Sequence, residues 1–539
     1  MLRKIPFAGA WILALAMAPS DARPRDAILA AARLLGADTI TSLRFTASRA
    51  TFSVGQNFTP SDPWPRVRVK NYIASINYET ASMRQDFLRE MDPVMPRGGG
   101  VPFVGERHQI QTVSGNYAWD EPIPPDPQAG SFPAGCCTPP EAGGTPPISA
   151  PAPGSQVACM LMLLATPQGF VKAALANNAT STKVLDGTAV SFVIAGKYKM
   201  SGLINANDEV TRVQTWIEQS IIGDMLVETD HSGYKDFGGV LFPSRILQKT
   251  DGFPSLDLAV TSVQANPPAD ITVPDSVRNA PPTVVTVNSQ KLTDGVFWLT
   301  GGTHHSLAIE MKDYIVLVDT PNGEPRALAV IAKAKELIPG KPLRYVVAMH
   351  HHWDHLGGIR TAIDEGATIV THKTNKALLE RAARAPFTIE PDRLSRSKKP
   401  LRLETVAAER TLDDGRRTIK LFTMTGFDHT DDMLMVYLPR ERILAEADAY
   451  TPPATPTTPV IAPKVPYAAA LYTNVRRLKL DVQTIAPFHG MRTAEHGRSR
   501  ASSATLTAVR GCPTAPRKIL LQASRTKPRL PVDERAAAR

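Results

Sequence analysis

Between residues 350 and 355 the chain reads His-His-His-Trp-Asp-His, directly after the apolar run Leu343-Arg-Tyr-Val-Val-Ala-Met349. Imidazole and carboxylate are the ligands that borderline divalent metals such as zinc prefer, and so dense a cluster repels itself unless a cation sits among its members. Past the end of a strand, alternate side chains of an extended turn share a direction. His350 and His352 therefore converge on one cation, while Asp354 and His355 turn towards a second position. Gly357-Gly358 then lets the backbone turn sharply into a helix. His351 and Trp353 face away, as packing or rim residues.

Three further candidates stand near probable strand ends, where a side chain is held rigidly yet reaches solvent. His429 lies in Gly426-Phe-Asp-His-Thr-Asp431, Asp448 ends Arg442-Ile-Leu-Ala-Glu-Ala-Asp448, and His489 ends Ile485-Ala-Pro-Phe-His489 before Gly490. Glu446, two residues before Asp448, competes with it as a ligand. His304 and His305, in Gly301-Gly-Thr-His-His-Ser306, are candidates for substrate contact at the site rim. Tyr450 is a candidate hydrogen-bond donor into the cleft, and His372 is read as structural or supporting.

The ordered set, over roughly residues 284–495, resembles the metallo-beta-lactamase superfamily of metallohydrolases. The resemblance implies an α/β domain of four layers, αββα. It also implies two divalent ions per chain, most readily Zn2+. Asp319 looks like the family's structural aspartate supporting the histidine loop. His350, His352 and His429 look like ligands of the first ion, and Asp354, His355 and His489 look like those of the second. Asp448 looks like the bridging carboxylate. The implied chemistry is hydrolysis of an ester, lactone or related bond in a small molecule by hydroxide generated between the ions, with Asp354 orienting the nucleophile and taking its proton. A bridging aspartate fits lactonase-, thioesterase- or phosphodiesterase-like members better than β-lactam-cleaving ones. Two alternatives stay open: turnover of β-lactams, and a cell-envelope binding protein whose hydrolase domain is accessory.

The elements that must position these residues fall into two grammars. From Ala27 to about Asp270 the pattern is β-rich, with a helix over Ala27–Leu35, a strand beginning near Ile40, and the alternating run Val67–Tyr78 typical of half-buried strands. Residues 126–156 form a Pro/Gly-rich insertion, and Phe170–Ala176 predicts a short helix. The aromatic and Asn residues of this half are read as core rather than as a binding surface. After the proline-rich linker 266–282, strands and helices alternate through the hydrolase-like region, 284–512. Val284–Val287 and Val296–Leu299 read as strands, and Arg326–Leu337 reads as a helix ending at Pro339-Gly340. Residues 451–466, rich in proline and nearly uncharged, predict a semi-rigid wall for an uncharged or apolar part of the substrate.

At 539 residues the chain exceeds what one hydrophobic core usually serves, so two domains or more are expected. The net charge of +10 is scattered along the chain with no zinc-finger or helix-turn-helix signature, which argues against a nucleic-acid partner. Arg3 and Lys4 before the apolar stretch Ile5–Ala18, then small residues, read as a signal peptide over residues 1–22, and so as a periplasmic or secreted protein. No other run reaches transmembrane length, so the mature chain is expected to carry no integral membrane segment; it is free to oligomerise. Cys136 or Cys137 could pair with Cys159 in an oxidising compartment, and residues 513–539 form a basic tail.

Overall fold

The computed structural model describes residues 26–92, 96–100, 105–123, 149–452 and 465–495. The signal segment 1–22, most of the insertion, Cys136, Cys137 and Cys512, the greater part of the 451–466 loop and the tail 513–539 lie outside the described residues.

Among the described residues, the strands of the N-terminal half form one antiparallel sheet of thirteen. It consists of two meanders joined where the first strand, Ser42–Phe52, pairs with the last, Phe253–Ala265, in the register Leu43↔Ala265. Strand alternation turns Phe45, Tyr72, Ile76, Phe242 and Leu258 to one face, where the helix Gln156–Leu164 buries Cys159 and Leu163 against them. The neighbouring helix spans Pro167–Ala176 rather than beginning at Phe170. Proline is at home in a first helical turn, and Thr166 caps it by accepting from the Gly169 N–H at 3.2 Å.

The second half has two sheets face to face. The seven-stranded sheet runs from Asn288–Thr293 to Arg402–Val406, antiparallel over its first four strands and parallel thereafter. The six-stranded sheet runs from Glu409–Asp413 to Ala494–Glu495. Between them lies one apolar core that includes Val316, Val347, Leu421, Val436 and Leu444. Helices Glu324–Leu337, Ile359–Asp364 and Lys376–Arg384 cover the outer face of the first sheet, and Val465–Arg477 covers the second. The expected αββα layering is therefore present, preceded by the β-rich domain.

Val284–Val287 is not a strand. Val284 is 79% exposed, and pairing starts only at Asn288, opposite Thr300. Arg326 takes the Thr286 carbonyl, so that backbone is engaged by a guanidinium instead of a neighbouring strand. Among the described residues no single helix is long and apolar enough to cross a membrane.

Candidate metal centre

The strand Leu343–Val347 buries Val346 and Val347 on opposite faces and runs on into Ala348 and Met349, which deliver His350 to the top of the sheet. Asp319, at the end of the adjacent strand Ile315–Val318, accepts from the Met349 N–H at 2.8 Å and from His355 Nδ1 at 2.9 Å. It thus ties both ends of the histidine loop to the sheet, the supporting role that the resemblance implies. Donating Nδ1–H to Asp319 leaves His355 Nε2 free to face the cleft.

Six of the seven predicted ligands meet, all but Asp354. Ligand atoms of His350, His352 and His429 lie within 4.8 Å of one another, as do those of His350, His355 and Asp448. Asp448 stands between the groups. Its Oδ2 is 3.4 Å from His350 Nε2, 3.4 Å from His429 Nε2 and 3.1 Å from His355 Nε2, while Oδ1 is 3.0 Å from His489 Nε2. One carboxylate therefore reaches both sets of histidines.

These atoms fit a bound cation. Both ring nitrogens of His350 and of His429, Nδ1 of His352 and Oδ2 of Asp448 are buried without a hydrogen-bond partner, an arrangement costly to maintain unless a cation completes it. Burial, reinforced by the neighbouring imidazoles, holds His350 and His352 well below the usual histidine range, so they present neutral lone pairs. Burial opposes ionisation of Asp448, yet His489, His429 and His355 together hold it well below the usual carboxylate range.

Asp354 and His304 depart from expectation. Ligand atoms of His304, not Asp354, lie within 4.8 Å of those of His355 and His489. Asp354 stands just behind, its Oδ2 3.1 Å from His304 Nε2 and its Oδ1 accepting from Gln56 Nε2 at 2.8 Å. Two donors, one on each oxygen, hold it there. Burial pushes the His304 imidazole down to about 4, so it is neutral near pH 7. His304 Nδ1 lies 2.8 Å from Thr303 Oγ1, so His304 serves as a ligand or substrate contact only by giving up one of its two hydrogen bonds.

The remaining candidates separate clearly. His305 is buried, donates Nε2–H to the Gly490 carbonyl at 2.5 Å and packs edge-on against Trp298, so it fixes the loop after His489. Glu446 accepts from the Ala449 and Tyr450 N–H groups at 3.1 and 3.0 Å, which makes it the brace of the Asp448 turn. Tyr450 packs half-buried against the apolar core, and no hydrogen bond joins its hydroxyl to a candidate ligand among the described residues. His372 bonds Thr374 Oγ1 at 2.9 Å, away from the site.

Sequence reasoning read His351 and Trp353 as packing or rim residues but missed their partners and Tyr467. His351 is buried between Asp432 Oδ1 at 3.0 Å and Asn57 Oδ1 at 3.1 Å. Tyr467 sets its ring 5.6 Å from that of His429 and 5.1 Å from that of Phe427. Trp64 packs edge-on against Trp353 at 5.1 Å. Gln56, Asn57 and Trp64 come from the β-rich domain. Their only local signal is the turn sequence around Gly55, and that says nothing of a partner three hundred residues away.

Residues 299–515 match the family model of the metallo-beta-lactamase superfamily. The domain that carries the histidines belongs to this superfamily. Solved metallo-beta-lactamases are similar to part of the chain at low identity. One from Pontibacter korlensis is 20% identical, with a TM-score of 0.32, over 42% of this chain and 100% of that one. One from Hirschia baltica is 22% identical, with a TM-score of 0.30, over 41% of this chain and 97% of that one. FIM-1 from Pseudomonas aeruginosa, in its mono-zinc form, is 19% identical, with a TM-score of 0.31, over 42% and 97%. No curated protein matches the chain. Within the superfamily domain, the candidate ligands come from both sheets and lie at the strand ends where the two meet.

Proposed function

We propose that the chain is an exported binuclear zinc hydrolase that cleaves an ester, lactone or related bond in a small molecule. The observation that carries this reading is Asp448, whose two oxygens stand 3.0–3.4 Å from four histidines belonging to both ligand groups. A carboxylate so placed suits two neighbouring cations. His350, His352 and His429 would hold one, and His355, His489 and Asp448 the other, with Asp354 or His304 completing the second. Such a pair, when bound, lowers the pKa of water towards neutrality and polarises an electrophilic oxygen.

The protein's own groups do the rest. Asp354, which the His304 hydrogen bond keeps well below the usual carboxylate range against the effect of burial, is an ionised acceptor beside the second position. It is suited to orienting a nucleophile and receiving its proton. Tyr467 and Phe427, both buried in the core between the sheets, pack against the His429 ring and hold it in place. Export is supported by the N-terminal Arg3-Lys4 and the apolar run after it; intact-mass measurement of the secreted chain, beginning near Pro19 or Arg23, checks it.

The test of function is a purified, chelated and zinc-reloaded protein screened against lactones, carboxylic esters, sulfate esters, phosphodiesters and β-lactams. Ester or lactone turnover that vanishes on chelation and returns with zinc is the expected result. A protein holding two ions that turns over only β-lactams, or none of these compounds, would overturn the substrate assignment.

A further inference from the structure

We propose that the loop 53–62 of the β-rich domain is a built part of the metal centre, setting the proton position of His352 and holding Asp354 beside the second ion. The proposal rests on the metal-centre reading above and concerns residues outside the superfamily domain.

Four consecutive residues of this loop are engaged. The Gly55 carbonyl accepts from the Trp353 N–H at 3.2 Å, and the Phe58 carbonyl accepts from the Asp431 N–H at 3.1 Å. Gln56 Nε2 donates to Asp354 Oδ1 at 2.8 Å. The Asn57 carbonyl stands 2.8 Å from His352 Nε2, and the Asn57 side-chain oxygen 3.1 Å from His351 Nε2. The loop therefore staples the 350–355 segment to the 429–431 segment, which are the two segments that supply the first ligand group.

The Asn57 carbonyl has a specific chemical consequence. A carbonyl only accepts, so His352 must carry its proton on Nε2 and leave Nδ1 as a lone pair. That Nδ1 is buried, without a partner, and belongs to the group formed with His350 and His429. In the other tautomer, a proton would lie where the ion must bind. Outer hydrogen bonds of this kind orient metal-binding histidines, and their loss typically costs about 10–100-fold in affinity or activity.

Gln56 acts on the second position. With its amide on Oδ1 and His304 on Oδ2, both oxygens of Asp354 are held, so the carboxylate cannot rotate away. The loop is itself braced. Asn57 Nδ2 donates to the Asp62 carbonyl at 3.1 Å, the Thr59 N–H to Asp62 Oδ2 at 3.1 Å, and the Gly99 N–H to the Gln56 carbonyl at 2.6 Å. Gly55 must stay glycine. Its φ is +77°, and an added Cβ would meet the Trp353 ring at 2.6 Å. Gln56 and Asn57 are thus positioning residues, acting through their neighbours on the ligand groups.

The test uses the full chain with Zn2+ or Co2+ alone as probe. In the chelated parent, labelled with 15N-histidine, His352 should show the Nε2–H tautomer; an Nδ1–H tautomer would overturn the assignment to Asn57. Gln56→Met keeps the side-chain length and removes the donor. It should bind the first ion like the parent and the second about 10-fold or more weakly, with altered Co2+ absorption and a fall in kcat at unchanged KM. Gln56→Ala guards against a shape effect of Met and should behave the same way. Parent-like affinity for both ions and parent-like kcat in both variants would overturn the role of Gln56. A parent that binds neither Zn2+ nor Co2+ would sink the underlying metal-centre reading itself, a distinct outcome.

Discussion

Asp448 and Asp319 both sit in left-handed backbone, at φ +61° and +55°, a conformation that side chains other than glycine adopt at a cost and that aspartate tolerates better than most. At Asp448 the turn is braced by Glu446, which takes the N–H groups of Ala449 and Tyr450. Strain held in this way accompanies sites where one side chain must be aimed. The aim is at two histidine groups together, so Asp448→Asn, which keeps the shape and weakens the ligand, is expected to lower bound ions from two per chain towards one. Hydrolysis should fall by more than the roughly 10–100-fold typical of an outer hydrogen bond. Metal analysis and steady-state kinetics on one preparation check both. Two retained ions with undiminished turnover would remove the bridging role.

The elements carrying these residues meet with little clearance. Gly358 opens the helix that follows the histidine loop, donates its N–H to the Thr320 carbonyl at 2.7 Å, and has room for no side chain; an added Cβ would meet the Ala327 Cβ at 2.3 Å. Gly358→Ala should therefore cost about 1–3 kcal/mol by overpacking. The measurement is denaturant unfolding of the chelated protein, where a loss of metal affinity cannot contribute. Much of this layer was legible beforehand. The strand leading to His350 is a largely apolar run, Gly357-Gly358 marks the turn, and the spaced His429, Asp448 and His489 close on the same point. What was not legible depends on contacts between distant segments. Val284–Val287 has strand composition but no strand to pair with, and nothing near His304 foretells that it, rather than Asp354, stands with His355 and His489. The loop 53–62 reads as an ordinary turn because its hydrogen-bonding partners lie in the other domain.

At the scale of the whole molecule the two domains share structure. Ile221, Ile222 and Met225 of the β-rich sheet belong to the same apolar core as Leu317 and Ile363, and Asp224 accepts from the Thr388 and Ile389 N–H groups at 3.0 and 3.1 Å. A perturbation deep in the sheet should thus be felt as loss of global stability. His231 supplies one. Burial pushes its imidazole from 6.5 down to about 4 in the folded chain. Between these values the unfolded chain takes up a proton that the folded chain refuses, so its contribution is complete above about pH 6.5 and is lost as pH falls towards 4. From pH 7 to pH 5 the loss is about 2 kcal/mol. His231→Leu should flatten the pH dependence of denaturant unfolding by about that amount, and an unchanged slope would contradict the burial argument. The separation between Asn57 and His352, 295 positions along the chain, has a consequence of its own. During synthesis the carbonyl acceptor leaves the ribosome long before its imidazole, and the strand that closes the first sheet, ending at Ala265, also precedes it. The nascent chain can thus present a finished mould to which the histidines are later fitted, whereas a denatured full-length chain must find so distant a pairing by slow search.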